Sequence, residues 1–251
     1  MFLGIYWLTS CLDEGKDNLT GYVVGVLNYN EANGLYMLSI TDTLFAVYCP
    51  EFKEEVARHE METGGCYYVV YSKDNALPEN ASHEVDANGY ITASLIDYDI
   101  AIKYNLSESF VDSSVVLTDE MPLLDAKPSG QVFGYSQGYL FMTHKISAQK
   151  GYEFDWSLSY DEETMMPTEV NKKNYYNLFL RATVAGNNNQ TDTIEHLPFN
   201  AYYMGDYMTE AAIKEKEFLT LDSTYNESST FTVRVNYASE IKGDTITWRY
   251  T

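Results

Sequence analysis

The chain has 251 residues, a formal net charge of −21 at pH 7 and 23 tyrosines. Binding to a phosphate backbone needs a basic footprint, so this balance argues against nucleic acid as a partner and against adsorption to anionic lipid headgroups. The length suits one large or two ordinary domains, and after the first residues no apolar run approaches the roughly 18–20 that a spanning helix requires.

The first eleven residues, Met1-Phe-Leu-Gly-Ile-Tyr-Trp-Leu-Thr-Ser-Cys11, form an apolar run ending in Leu-Thr-Ser-Cys. The chain then turns polar and acidic at Asp13, Glu14 and Asp17. This resembles a bacterial lipobox, in which the cysteine is lipidated and the preceding residues are removed. Phe2 to Leu8 supply the apolar segment and Ser10 the small residue, but the positive segment that opens a signal peptide is missing, which puts the expected start upstream of Met1. The alternative is a short apolar strand with an incidental cysteine. Residues 1–11 are thus read as a truncated lipoprotein signal and 12–20 as a tether.

Residues 21–104 read as strands around one short helix. Tyr22–Leu27 is extended and stops at the Asn33-Gly34 turn signal; Leu35–Ile40 and Leu44–Tyr48 follow. Pro50 opens a helix with Glu51, Glu54 and Glu55 at its positive end and Gly64-Gly65 as its stop. Cys66–Tyr71 and Tyr90–Ile96 are the last two strands, the latter running on towards Tyr104. Three strands, a helix and two strands match the OB-fold, a partly open five-stranded barrel, with an unrelated small barrel as the alternative. Residues 105–130, with Pro122, Pro128 and Gly130, read as a connection in which Val115–Leu117 forms a brief strand.

From residue 131 to 251 period-two alternation is clean. Tyr152, Phe154, Trp156, Leu158 and Tyr160 share one face, and Tyr176–Val184 behaves alike. Phe231, Val233, Val235 and Tyr237 alternate with Thr232, Arg234 and Asn236, and Ile246, Trp248 and Tyr250 complete a closing hairpin. Thr209–Glu217 is the second helical stretch. Antiparallel strands with one wet face predict a β-sandwich. The chain is therefore expected to be mostly β, an OB-like barrel with one short helix followed by a C-terminal β-sandwich.

No catalytic constellation emerges. Gly134-Tyr-Ser136-Gln-Gly138 fits the pattern of a hydrolase nucleophile elbow, but Tyr139–Met142 reads as strand where that chemistry needs a helix, so a hairpin turn is expected. His59, His83, His144 and His196 are scattered without metal-ligand spacing, and no metal or cofactor is expected. Asp97 and Asp99 would lie on one strand face, read as solvated, and Asp161–Glu163 and Glu215–Glu217 read as exposed charge. With Cys11 lipidated, Cys49 and Cys66 remain as a pair. A bridge would contribute about 3 kcal/mol by loop closure, while their strand-like apolar contexts suit buried free thiols equally. Tyrosine suits half-buried pleated surfaces and also faces that stack on sugars or protein partners.

The lipobox, the barrel-like and sandwich-like halves, the ending Thr230–Tyr237 with Thr245–Tyr250, and Tyr36–Asp42 followed by Phe45 together resemble the NigD-like lipoproteins of Bacteroidota. A glycine usual in that family's acidic turn is replaced here by Thr43-Leu44. The resemblance implies a cell-envelope location, at the outer membrane and facing periplasm or surface, and no settled activity; only Cys11 carries over as a functional residue. The acids after Cys11 resemble export tags of surface lipoproteins. Four Asp-Ser/Thr-apolar triplets resemble O-glycosylation acceptors at Thr43, Thr193, Ser223 and Thr245, the third of them with Thr224 in the apolar place. The expected function is that of a non-enzymatic, lipid-anchored envelope protein acting by binding or assembly with envelope components. Alternatives are a glycan-binding surface lipoprotein, favoured by an outward row of aromatics, or a fimbrial subunit offering strand exchange.

Overall fold

The computed structural model describes residues 18–39, 46–74, 90–107, 112–126, 134–160, 168–170, 173–186, 191–221 and 232–251. The long strand β1 (Asn18–Asn30) organises the N-terminal half. Its first part pairs antiparallel with β4 (Cys66–Asp74) and its last part with β2 (Leu35–Ser39). Gly25 lies next to Val26, where the two pairings overlap: a Cβ there would sit 2.3 Å from the Ser39 carbonyl oxygen, so only glycine lets the strands approach this closely. The Asn33-Gly34 turn forms as expected, with Gly34 at φ 73°.

β3 (Ala46–Tyr48) pairs with β2, β5 (Tyr90–Thr92) runs parallel to β3, and β6 (Ser94–Ile100) pairs with β4. Only Ala93 separates β5 from β6, yet they occupy opposite ends of the order β5-β3-β2-β1-β4-β6. One bent strand therefore closes both edges of a curled sheet, which is the OB topology expected. Helix α1 (Phe52–Ala57) lies between β3 and β4 and sets Phe52 and Val56 against the barrel core of Leu27, Leu38, Val47 and Val69. It is shorter than the sequence suggests, ending at Arg58 before Gly64-Gly65.

The second half has two layers. Strands β10 (Tyr139–Thr143) and β16 (Phe199–Tyr203), distant in sequence, pair antiparallel between β9 (Gly134–Ser136) and β7 (Ile102–Asn105). Beyond a break at His144 and Leu197-Pro198 the same two chains continue as β11 (Lys145–Gln149) and β15 (Thr193–His196), with β8 (Leu123–Asp125) beside β11. The other layer orders β12 (Glu153–Ser159), β14 (Lys173–Gly186), β17 (Thr232–Lys242) and β18 (Thr245–Tyr250), with β13 (Thr168–Val170) also on β14. β14 and β17 are parallel, the chain between them running through β15, β16 and α2 (Gly205–Leu221), which extends the expected Thr209–Glu217 helix at both ends. Leu140, Met142 and Tyr202 meet Trp156, Leu158, Leu178 and Val235 in the sandwich core.

Both faces of β10 and β16 are covered. Phe141 and Ala201 point the other way, onto Val24, Val26, Cys66 and Ala101 of the barrel side. The barrel, the middle sheet and the outer sheet are thus three layers in series. The expected domain limits shift accordingly. β1 starts at Asn18, inside the predicted tether. β7 leaves the barrel to join the middle sheet at residue 102, and the predicted connection contributes β8. Val115–Leu117 is not a strand.

Cys49 and Cys66 are free and buried in the structure. Cys49 belongs to the barrel interior, whereas Cys66 faces the middle sheet, so a bridge would have to pass through the sheet between them. Burial pushes both thiols up, Cys66 to about 12, and suppresses the reactive thiolate. In the Cys11→Ser chain a thiol reagent is expected to count two cysteines after denaturation without reductant and almost none in the native protein. A denatured count of zero would establish the bridge instead.

Candidate functional site

The outer face of the β12-β14-β17-β18 sheet collects side chains that a core would not take. Because Tyr176, Leu178 and Leu180 point inward, Tyr175, Asn177, Phe179 and Arg181 point outward. Asn177 lies opposite Arg234, and Asn236 opposite Tyr250, while Ala238 lies opposite Trp248. Trp248 and Tyr250, apolar positions that read as hairpin packing, therefore stand on the outer face with Arg234.

One end of this face is covered. Residues 112–120 lie across it: the Trp248 indole donates to the Ser113 carbonyl at 3.0 Å, and Arg181 Nη2 donates to the Val115 carbonyl. Glu120 Oε1 lies 3.0 Å from Arg181 Nε, both side chains are essentially excluded from solvent, and Trp248 lies against the guanidinium at 5.4 Å. Glu120 Oε2 also accepts from the Leu117 amide at 2.8 Å. The other end is uncovered by this segment. There the Arg234 guanidinium sits between Tyr175, 4.0 Å from its ring centre, and Tyr250, at 4.3 Å; Tyr250 is 67% exposed.

Other polar groups are spent inside the fold. His144, at the break in the middle sheet, stacks on Trp156 at 4.7 Å, and its Nε2 lies 3.0 Å from the Tyr202 hydroxyl. Tyr202 also accepts from Asn200 Nδ2 at 3.2 Å. Burial holds His144 down at about 3. Glu215, expected as exposed charge, is buried and accepts from the Tyr176 hydroxyl at 2.9 Å, since Tyr207, Ala211 and Glu215 share the inward stripe of α2. A four-residue period was the available signal. Glu120 had none, lying in a segment that reads as a connection.

The remaining predicted residues do not converge. Ser136 is fully buried in the β9–β10 hairpin and donates to the Ser39 carbonyl at 2.8 Å; Gln137 and Gly138 both take positive φ, the tight-turn geometry expected rather than a nucleophile elbow. Asp97 and Asp99 are exposed, His59 is exposed, and His196 faces the Gln149 carbonyl at 3.2 Å. Thr193 and Thr245 are exposed at the starts of their strands. Cys11, Thr43, His83 and Ser223 lie outside the described residues. Among the described residues no group of three or more His, Cys, Asp or Glu could hold a metal ion, and no helix is long and apolar enough to cross a membrane. A shallow cavity of about 220 Å³ opens at the barrel–sheet junction, between Met61, Tyr67, Ile100 and Lys103.

Residues 15–99 match the lipoprotein OB domain family. The matched stretch is the part of the chain that folds as the OB-like barrel. The whole fold is similar to that of an uncharacterized protein from Parabacteroides merdae, with 19% identity, a TM-score of 0.69, and 91% of this chain and 95% of the other covered. A protein described as a candidate lipoprotein from Bacteroides fragilis aligns at 11% identity and TM-score 0.50 over 93% and 96% of the two chains. A NigD-like immunity protein from Bacteroides caccae aligns at 13% identity and TM-score 0.44 over 92% and 91%. At these identities the likeness is one of fold, and no curated protein matches the sequence. The stretch that matches this family begins four residues after Cys11 and spans the barrel strands and α1.

Two measurements test the buried polar groups. Glu120→Gln leaves the Arg181 charge buried without its counter-ion and is expected to cost about 3–5 kcal/mol in urea unfolding, whereas the double change Glu120→Leu with Arg181→Met should recover most of that loss. For His144, an unfolded imidazole near 6.5 takes up a proton that the folded one refuses. Its contribution is therefore intact above pH 6.5 and is lost as pH falls towards 3, amounting to about 2 kcal/mol by pH 5. Between pH 7.5 and 5, His144→Phe should lose less stability than the unmodified chain by that amount; equal losses would clear His144 of the effect.

Proposed function

We propose that this protein is a non-enzymatic lipoprotein of the cell envelope, held to the outer membrane through Cys11 and acting by binding or assembly with other envelope components. The observation that carries the reading is the lipoprotein OB domain at residues 15–99, starting just after a lipobox-like cysteine. The three-layer build supports it. The groups that could do chemistry are committed to the fold: Ser136 to a hairpin, His144 to Tyr202, Glu120 to Arg181 and Glu215 to Tyr176. Seven of the 23 tyrosines, Tyr67, Tyr71, Tyr160, Tyr176, Tyr202, Tyr207 and Tyr237, are buried in the layers. What is left for a partner is surface.

A second reading, glycan binding, is favoured by the outward Tyr175–Arg234–Tyr250 group on the outer sheet face. Thr193 and Thr245 are exposed where a glycan could be attached, and they join the proposal as O-glycosylation sites.

Expression of the Cys11→Ser chain with radiolabelled palmitate tests the anchor. Label and membrane fractionation should both be lost while the protein still folds. Unchanged labelling and an unchanged membrane fraction would overturn the reading.

A further inference from the structure

The two ends of the outer face have the same chemistry and different occupants. At the covered end an arginine beside an aromatic ring, Arg181 with Trp248, receives a carboxylate from Glu120 and a carbonyl oxygen from Val115. At the other end an arginine stands between two aromatic rings, Arg234 with Tyr175 and Tyr250, and receives nothing comparable: among the described residues its guanidinium makes no ion pair or hydrogen bond. Arg58 and Arg181 sit on carboxylates, whereas Arg234, like Arg249, makes no ion pair among the described residues of a chain with 37 acidic residues against 16 basic ones.

We propose that the Tyr175–Arg234–Tyr250 clamp is a binding site for a carboxylate-bearing sugar, a uronic acid unit of an acidic saccharide. The inference deepens the glycan-binding reading and rests on it. A guanidinium is a planar fork whose N–H groups match the two oxygens of a carboxylate, and rings on either side hold the fork in one orientation at little further entropic cost. Tyr250 offers an exposed aromatic surface with a hydroxyl, the amphipathic contact that a pyranose ring presents in mirror form: apolar C–H faces edged with hydroxyls. Asn236 Nδ2 donates to Asn177 Oδ1 at 3.2 Å and to the Leu178 carbonyl at 3.0 Å, so both amides are set in place beside the clamp. Charge complementarity is local. The net charge of −21 repels polyanions in bulk, so an acidic saccharide that binds must be held by a dedicated cation and not by general attraction.

The test uses the full chain carrying Cys11→Ser, titrated calorimetrically with short oligomers of galacturonate, glucuronate or mannuronate and with the methyl ester of each. At least one free acid should bind, its methyl ester at least tenfold more weakly. Arg234→Lys keeps the charge and removes the fork, and should weaken the free acid at least tenfold; Tyr250→Ala, at an exposed ring, should weaken it severalfold, both at unchanged melting temperature. Equal binding of acid and ester, still dependent on Tyr250, would overturn the carboxylate inference and leave glycan binding standing. Binding of the acid that ignores Arg234→Lys would overturn the clamp as its site. No binding of any acid or ester would overturn the inference together with the glycan reading.

Discussion

The buried pair between Arg181 and Glu120 is the constraint on which the outer half of the molecule depends. An arginine at the centre of β14 cannot point into the sandwich core, and on the outer face it would ordinarily stay in water. Here residues 112–120 fold over it, and removing a guanidinium from water is tolerable only with a counter-charge in contact. Glu120 supplies that charge, while the Val115 carbonyl and the Trp248 ring occupy other sides of the guanidinium. A segment with almost no regular structure is thereby held by this ion pair together with backbone hydrogen bonds to β14, Met121 donating to Ala182 and Val184 to Asp119, and it covers one end of the outer face.

The middle sheet plays the corresponding part on the inner side. Strands buried on both faces normally read as continuous apolar runs, and Leu140-Phe-Met142 is one. Its alternate residues serve two different cores, Leu140 and Met142 the sandwich and Phe141 the barrel. What separates the two units is therefore also what joins them.

The sequence made the barrel legible because its signals are local: a turn at Asn33-Gly34, a proline-opened helix, a double glycine and short strands in the OB order. The clean alternation of Phe154–Leu158 and Val233–Tyr237 likewise shows which residues face the core. The outer-face group was not legible. Trp248 and Tyr250 look like core positions by composition, and only their pairing with the outward Ala238 and Asn236 of β17 sets them beside Arg234. Nor could Glu120 be picked out, because its burial depends on Arg181, distant in sequence; for Glu215 the four-residue period of α2 marked the inward stripe but not its partner Tyr176.

β7 has a further consequence for how the chain assembles. It follows the barrel after the single residue Ala101, yet its neighbour in the middle sheet is β16, aligned in parallel and made only after β8 to β15 have been synthesised. The edge of that strand stays bare until residue 203 has emerged. Because such distant pairing must pay loop-closure entropy before any contact rewards it, the middle layer is a late event, and a polypeptide released early would present Phe141 and the barrel's Val24 and Val26 to solvent instead of to each other.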